Sequence, residues 1–192
     1  MVEAEIGTGW PLVMRAAEKA SSWHVDERHK DGKAPFINHL IEVAALVTIA
    51  TAGRDPVLAA AAFLHDAIEK ANVEPGQIRD AFGEKVCALV LEVTDAHGLT
   101  KEERRRQQVE TAAQKSPKAK MLKLADKTSN LRALARDDAD RDDARDYAQW
   151  AEAVAKGLRS TDRWLEEQFD QALSLLRRRI GEGAEERKST WG

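Results

Sequence analysis

A chain of 192 residues, 43% hydrophobic and 33% charged, has the size and composition of one ordinary globular domain with a real core, which excludes fibrous and disordered classes. A net charge of −3 argues against a general nucleic-acid binder, which would be basic. Apolar stretches such as Val57–Leu64 fall far short of the ~20 residues a bilayer crossing needs, so no membrane partner is expected. The N-terminus, MVEAEIGTGW, lacks the basic-then-apolar pattern of a secretory signal. Cys87 is the one cysteine, flanked by Val86, Ala88 and Leu89, and reads as a plain buried thiol in a reducing cytoplasm.

Helical periodicity runs through most of the chain. Pro11 opens a stripe of Leu12, Val13, Ala16, Ala17, Ala20 and Trp23 that predicts a helix ending near Lys30, before the turn-rich KDGKAP (30–35). A second helix is expected over Ile37–Ala50. Asp55-Pro56 is a start signal, with Asp as N-cap and Pro in the first turn, and the largely apolar helix it opens is predicted to continue through Lys70 as the central one. Pro75-Gly76 and Gly83 bracket a short helix, Glu84–Thr94 forms the next, and the very polar Lys101–Ala113 follows. Ser116-Pro117 predicts a helix through Ala135, the acidic run Asp137–Asp143 a loop, and 144–157 and 161–180 two more helices. The expectation is one all-α domain, a single bundle of roughly eight to ten helices spanning 1–192, with its core over about 12–165 and a frayed tail at 181–192.

The adjacent pair His65-Asp66, with His39 before it and Asp126 after it, resembles the ligand set of the HD-domain metal phosphohydrolases. Two imidazoles and two carboxylates hold one divalent cation and leave a position for water, the equipment of metal-assisted hydrolysis. The mixed nitrogen and oxygen set suits manganese, iron or zinc better than magnesium or calcium. A lone histidine on an apolar helix is ordinarily a satisfied core residue, and a lone Asp a cap or surface charge. Burying Asp66 beside Ala60–Leu64, or Asp126 after Leu124-Ala125, without a partner would be costly. His24, His29 and His97 are expected at the surface or in loop contacts.

The resemblance narrows with neighbouring segments. ERHK (27–30), PFINH (35–39), LHDAIE (64–69), FGEKV (82–86), VTD (93–95) and KLADKTSNL (123–131) follow in the order and spacing of the RelA/SpoT-homologue hydrolase domain, and the length is similar to a stand-alone small alarmone hydrolase. The resemblance covers about Leu12 to Leu165. It implies an all-helical, manganese-binding enzyme of the stringent response that removes the 3′-pyrophosphate from guanosine tetra- and pentaphosphate; animal members also act on NADPH. It further implies that Arg28 and Asn130 touch the nucleotide, Lys101 a phosphate, and Tyr147 the nucleotide as well. Local positive charge agrees with a polyanionic substrate: Arg28, Lys30 and Lys33 precede His39, Lys101–Arg106 is a basic block, and Lys123 and Lys127 flank Asp126. Glu102 and Glu103 within that block also allow a solvated helix face, and Trp23, Trp150 and Trp164 sit among aliphatics as core residues would.

One position departs from the family. The usual Glu-Asp after the His-Asp pair is Glu69-Lys70 here. Glu69 remains to orient or deprotonate water, while losing an acid/base group costs about 10²–10⁴ in rate. Lys70 instead offers a cation for phosphate. The catalytic candidates are therefore Glu69 and Lys70, and the leading expectation is a (p)ppGpp 3′-pyrophosphohydrolase. Two alternatives use the same site: another phosphorylated nucleotide such as NADPH, or nucleotide binding without turnover. The expected partner is a small-molecule nucleotide, and a homo-oligomer stays open.

Overall fold

The computed structural model describes residues 9–28, 34–136 and 140–181. Among them run ten α-helices: α1 Trp10–Trp23, α2 Ile37–Ala50, α3 Pro56–Leu64, α4 Ala67–Ala71, α5 Pro75–Phe82, α6 Glu84–Val93, α7 Lys101–Thr111, α8 Pro117–Arg136, α9 Arg141–Leu158 and α10 Arg163–Ile180. A 3-10 turn, Ala112–Gln114, follows α7. The extended pairing among the described residues is an isolated bridge between Arg28 and Pro35. The all-α expectation holds, and no helix of the described residues is long and apolar enough to cross a membrane.

Two helices form the centre. Asp55 Oδ1 accepts the Leu58 N–H at 3.0 Å and Pro56 takes the first helical position, so α3 starts where the sequence signals it. Leu58 to Ala62 and Leu64 are all buried, because a helix apolar on every side has no face to give to water. α1, α2 and α6 pack around it. α8 is the second, opened by Ser116, whose Oγ accepts the Ala119 N–H at 3.3 Å. α10 lies along α8, and α2 packs against both α3 and α8. Leu40, Leu64 and Leu124 are fully buried one or two positions from His39, His65 and Asp126. Each such leucine contributes about 1.5–3 kcal/mol, so the polar side chains hang from the firmest part of the core.

Four sequence expectations are corrected. α1 ends at Trp23 rather than near Lys30, because His24 turns inward under Phe36, with ring centroids 5.2 Å apart. His24 is therefore buried and not a surface residue, its Nδ1 3.0 Å from a Glu27 carboxylate oxygen. The helix expected from Pro56 through Lys70 breaks at His65-Asp66, where Asp66 leaves helical geometry (φ −99, ψ 0) and α4 restarts at Ala67. At the described end of the acidic run helix replaces loop: Asp140 accepts the N–H groups of Asp142 and Asp143 and caps α9, whose first turn holds those two acids where the helix dipole favours them. Lys101–Ala113 resolves into a mostly exposed helix plus the 3-10 turn, its capping box formed by Thr100 and Glu103. The tail 182–192, His29, Lys30, Lys33 and positions 137–139 lie outside the described residues.

Candidate metal centre

Three central elements meet at one polar cluster: α2 brings His39, the α3–α4 break brings His65 and Asp66, and α8 brings Asp126. His39 Nε2 lies 3.4 Å and His65 Nε2 3.8 Å from Asp126 Oδ1, and the two rings are 5.4 Å apart at 62°. Ligand atoms of His39, His65 and Asp126 all fall within 4.8 Å of one another, and all three residues are buried. Donors at about 2.0–2.2 Å from one cation stand roughly 3.0–3.6 Å apart, so the cluster needs little movement to close on an ion. Asp66 stands at its edge, Oδ1 3.6 Å from His65 Nε2 and Oδ2 3.5 Å from Lys70 Nζ.

Hydrogen bonds and charge prepare these donors. His65 Nδ1–H donates to the Ala62 carbonyl at 2.8 Å, which leaves the lone pair on Nε2, a buried atom that has no hydrogen-bond partner. An orphaned imidazole nitrogen between two carboxylates fits a divalent cation. Burial opposes charge on His65, but Asp66 and Asp126 outweigh it and raise its pKa above 6.5. Burial would raise both acids, yet cations win: Lys127, His39 and His65 hold Asp126 well below the carboxylate range, and His65, Lys70 and His39 lower Asp66. The chain thus keeps ionised carboxylates facing imidazole nitrogens in a largely buried site.

Around this set the structure gathers some of the sequence-predicted residues and leaves others apart. Asn130 donates to Asp126 Oδ1 at 2.7 Å, so its amide orients that carboxylate. Glu69 Oε1 accepts the Asp95 backbone N–H at 2.6 Å, and burial, then the Asp95 and Asp66 charges, raise its pKa. Lys70 Nζ lies 3.8 Å over the Phe36 ring and remains partly exposed. Tyr147 is buried, edge-on to Trp150 at 5.3 Å, and its pKa is pushed up by burial and by the Asp126 charge. Arg28 and Lys101 lie outside the cluster. Arg28 is exposed and donates to the Val25 and Glu27 carbonyls, and Lys101 Nζ is 3.9 Å from Asp146 Oδ2 on α9. Trp23, Trp150 and Trp164 pack against the core as expected.

Glu42 and Ser129 in this neighbourhood escaped sequence reasoning, while Lys127 and Asp95, which lie in the KLADKTSNL and VTD motifs, take partners the sequence did not predict. Lys127 is buried, its Nζ 3.0 Å from Asp126 Oδ2 and 4.4 Å over Trp150. Asp95 accepts from Gln108 at 2.6 Å and lies 3.9 Å from Lys123, forming a polar wall beside Glu69. Ser129 and Glu42 stand behind His39, at 3.0 Å and 2.9 Å along one hydrogen-bonded chain. The VTD motif pointed at Asp95, but no spacing within one helix pairs Glu42 on α2 with Ser129 on α8.

The fold and site define an HD domain, and the HD-domain family profile matches residues 15–160. The chain is 42% identical over 170 residues, 86% of its length and 95% of the relative's, to the mouse (Mus musculus) guanosine-3′,5′-bis(diphosphate) 3′-pyrophosphohydrolase MESH1. The solved structure of a metazoan orthologue of SpoT that hydrolyses ppGpp superposes with a TM-score of 0.80 at 35% identity, covering 88% of this chain and 96% of that one. A Listeria monocytogenes EGD-e protein superposes at 0.60 with 28% identity, covering 74% and 98%. The chain belongs to the HD-domain family, on its RelA/SpoT-homologue branch.

Proposed function

We propose that the protein is a metal-dependent guanosine 3′,5′-bis(diphosphate) 3′-pyrophosphohydrolase of the cytoplasm, releasing pyrophosphate and GDP or GTP. The observation that carries this reading is the buried His39–His65–Asp126 cluster, in a chain that aligns along nearly the whole length of relatives bearing that activity. His39, His65, Asp66 and Asp126 hold one divalent cation, and two nitrogens with two carboxylates favour manganese, with iron or zinc as substitutes. Bound there, such an ion would supply Lewis-acid polarisation of phosphoryl oxygen and acidification of water.

The chain's own groups do the rest. Glu69 is held at Oε1 by the Asp95 N–H, which leaves Oε2 to take the proton from the attacking water. Its raised pKa brings it nearer to the range of a working base. Lys70 and Lys127 bring positive charge beside Asp66 and Asp126, where the phosphates of a polyanion would lie. Asn130 and Tyr147 near the cluster, and Arg28 and Lys101 outside it, are the substrate-binding candidates. Parallel incubation of the manganese-loaded protein with guanosine tetraphosphate and with NADPH tests the reading. Pyrophosphate and GDP from the first, at a much higher kcat/KM than phosphate from the second, is expected. Preference for NADPH would transfer the site to the other substrate class.

A further inference from the structure

The cluster behind His39 is not explained by ligand count. Ser129 is 1% exposed, and its Oγ lies between His39 Nδ1 at 3.0 Å and Glu42 Oε2 at 2.9 Å. Glu42 is gripped by the Arg132 guanidinium at 3.1 Å and the Arg136 guanidinium at 3.2 Å, and Arg132 also donates to Gln168 on α10 at 2.7 Å. A carboxylate bridging two guanidiniums only accepts, so the single hydroxyl proton of Ser129 goes to Glu42. The Oγ lone pair left facing His39 must then meet an N–H, which puts the ring proton on Nδ1. That arrangement leaves the Nε2 lone pair directed into the cluster, 3.4 Å from Asp126 Oδ1.

We propose that Glu42 and Ser129 form a positioning relay that fixes His39 in the tautomer a metal ligand needs. The proposal rests on the metal reading above and adds to it the device that presets one ligand. His65 achieves the same through a backbone carbonyl within its own helix, Ala62. His39 achieves it across two helices, from α2 to the helix that carries Asp126, so the relay also fixes the spacing of two donors. A ligand imidazole must be neutral and turned correctly before the ion arrives. Without the relay, part of the population would present Nε2–H to the ion.

Two variants of the full-length, metal-stripped protein test this. Nitrogen-15 chemical shifts of the His39 side chain read the tautomer directly, and manganese titration by calorimetry reads affinity. Wild type should show Nδ1–H. Ser129→Ala should show a mixed tautomer and weaken manganese binding about 10-fold or more, the usual range for partners behind a metal ligand being about 10–100. In Glu42→Gln, the amide oxygen stays on Arg132 at the Oε1 position, the exposed Arg136 gives up its contact at the Oε2 position, the amide N–H₂ placed there donates to Ser129, and the hydroxyl turns to donate to His39. The relay therefore predicts a switch toward Nε2–H, which a merely structural Glu42 would not produce. Retention of Nδ1–H in both variants overturns the relay, whatever the metal does. A wild type that binds no manganese contradicts the metal reading instead, and the tautomer arm still decides the relay. Should Ser129→Ala fail to fold, Glu42→Gln alone carries the test.

Discussion

Replacing Lys70 by Met removes a cation that competes for Asp66. The Lys70 Nζ is 3.5 Å from Asp66 Oδ2, with its side chain 42% exposed. Coulomb's law at that distance gives about 1.2 kcal/mol in water and about 5 kcal/mol at an effective dielectric of 20. Exposure and ionic screening place the pair near the lower figure, at about 0.5–1.5 kcal/mol. The methionine keeps an apolar stem over Phe36, so packing changes little. Lys70→Met should therefore free Asp66 to join the other three donors and raise manganese affinity about 3–10-fold, measured by calorimetry on the metal-stripped protein. At saturating manganese, kcat/KM for guanosine tetraphosphate should fall, because the cation that meets phosphate is gone. Unchanged or weaker metal binding would refute the reasoning that Lys70 and the ion share one carboxylate.

Glu69→Gln should cut turnover about 10²–10⁴-fold at unchanged manganese affinity. In the wild type the acid limb of the pH–rate profile should lie above the ordinary glutamate value of 4.5, since burial and the Asp95 and Asp66 charges raise Glu69; a limb below 4.5 would argue against Glu69 as the base. His65 is raised above 6.5, so its proton competes with the ion, and manganese affinity should weaken as pH falls through that raised value. Metal-free protein behaves in the opposite sense: the contribution of protonated His65 to stability is present below about pH 6.5 and lost as pH rises through the folded value, which thermal melts with and without metal would read. Gly157→Ala should destabilise by about 1–3 kcal/mol, although Ala is the better helix former. Its Cβ would fall 2.7 Å from Ala112 Cβ and 2.8 Å from the Ala113 nitrogen, and a denaturant midpoint at or above wild type would contradict that packing.

The helices that carry their own punctuation were readable: Asp55-Pro56 and Ser116-Pro117 start α3 and α8 as the caps require, and Ile37–Ala50 has the expected bounds. What periodicity missed is where tertiary demand overrides propensity. The α3–α4 break falls inside an apolar stretch that reads as continuous helix, because presenting His65 and Asp66 to one cluster takes a turn there. His24 gave no sign of burial, since the ring that covers it, Phe36, is remote from it in the sequence. The members of the candidate site with a sequence signal are His39, His65, Asp66 and Asp126, polar residues set in apolar helical stretches. Nothing in the sequence singles out Ser129, or Glu42 three positions past His39. Their pairing is a fact of how α2 meets α8, over a separation of 87 residues. Asn130 was implied by the resemblance, and the contact of its amide with Asp126 adds an orienting role that the sequence did not show.

Multiple-turnover hydrolysis of guanosine tetraphosphate by the manganese-loaded protein, with Asp126→Ala alongside, tests the central claim most directly. Stoichiometric GDP and pyrophosphate over many turnovers are expected in wild type, with loss of both manganese binding and product in the variant. Demonstrated manganese binding without product would contradict that claim.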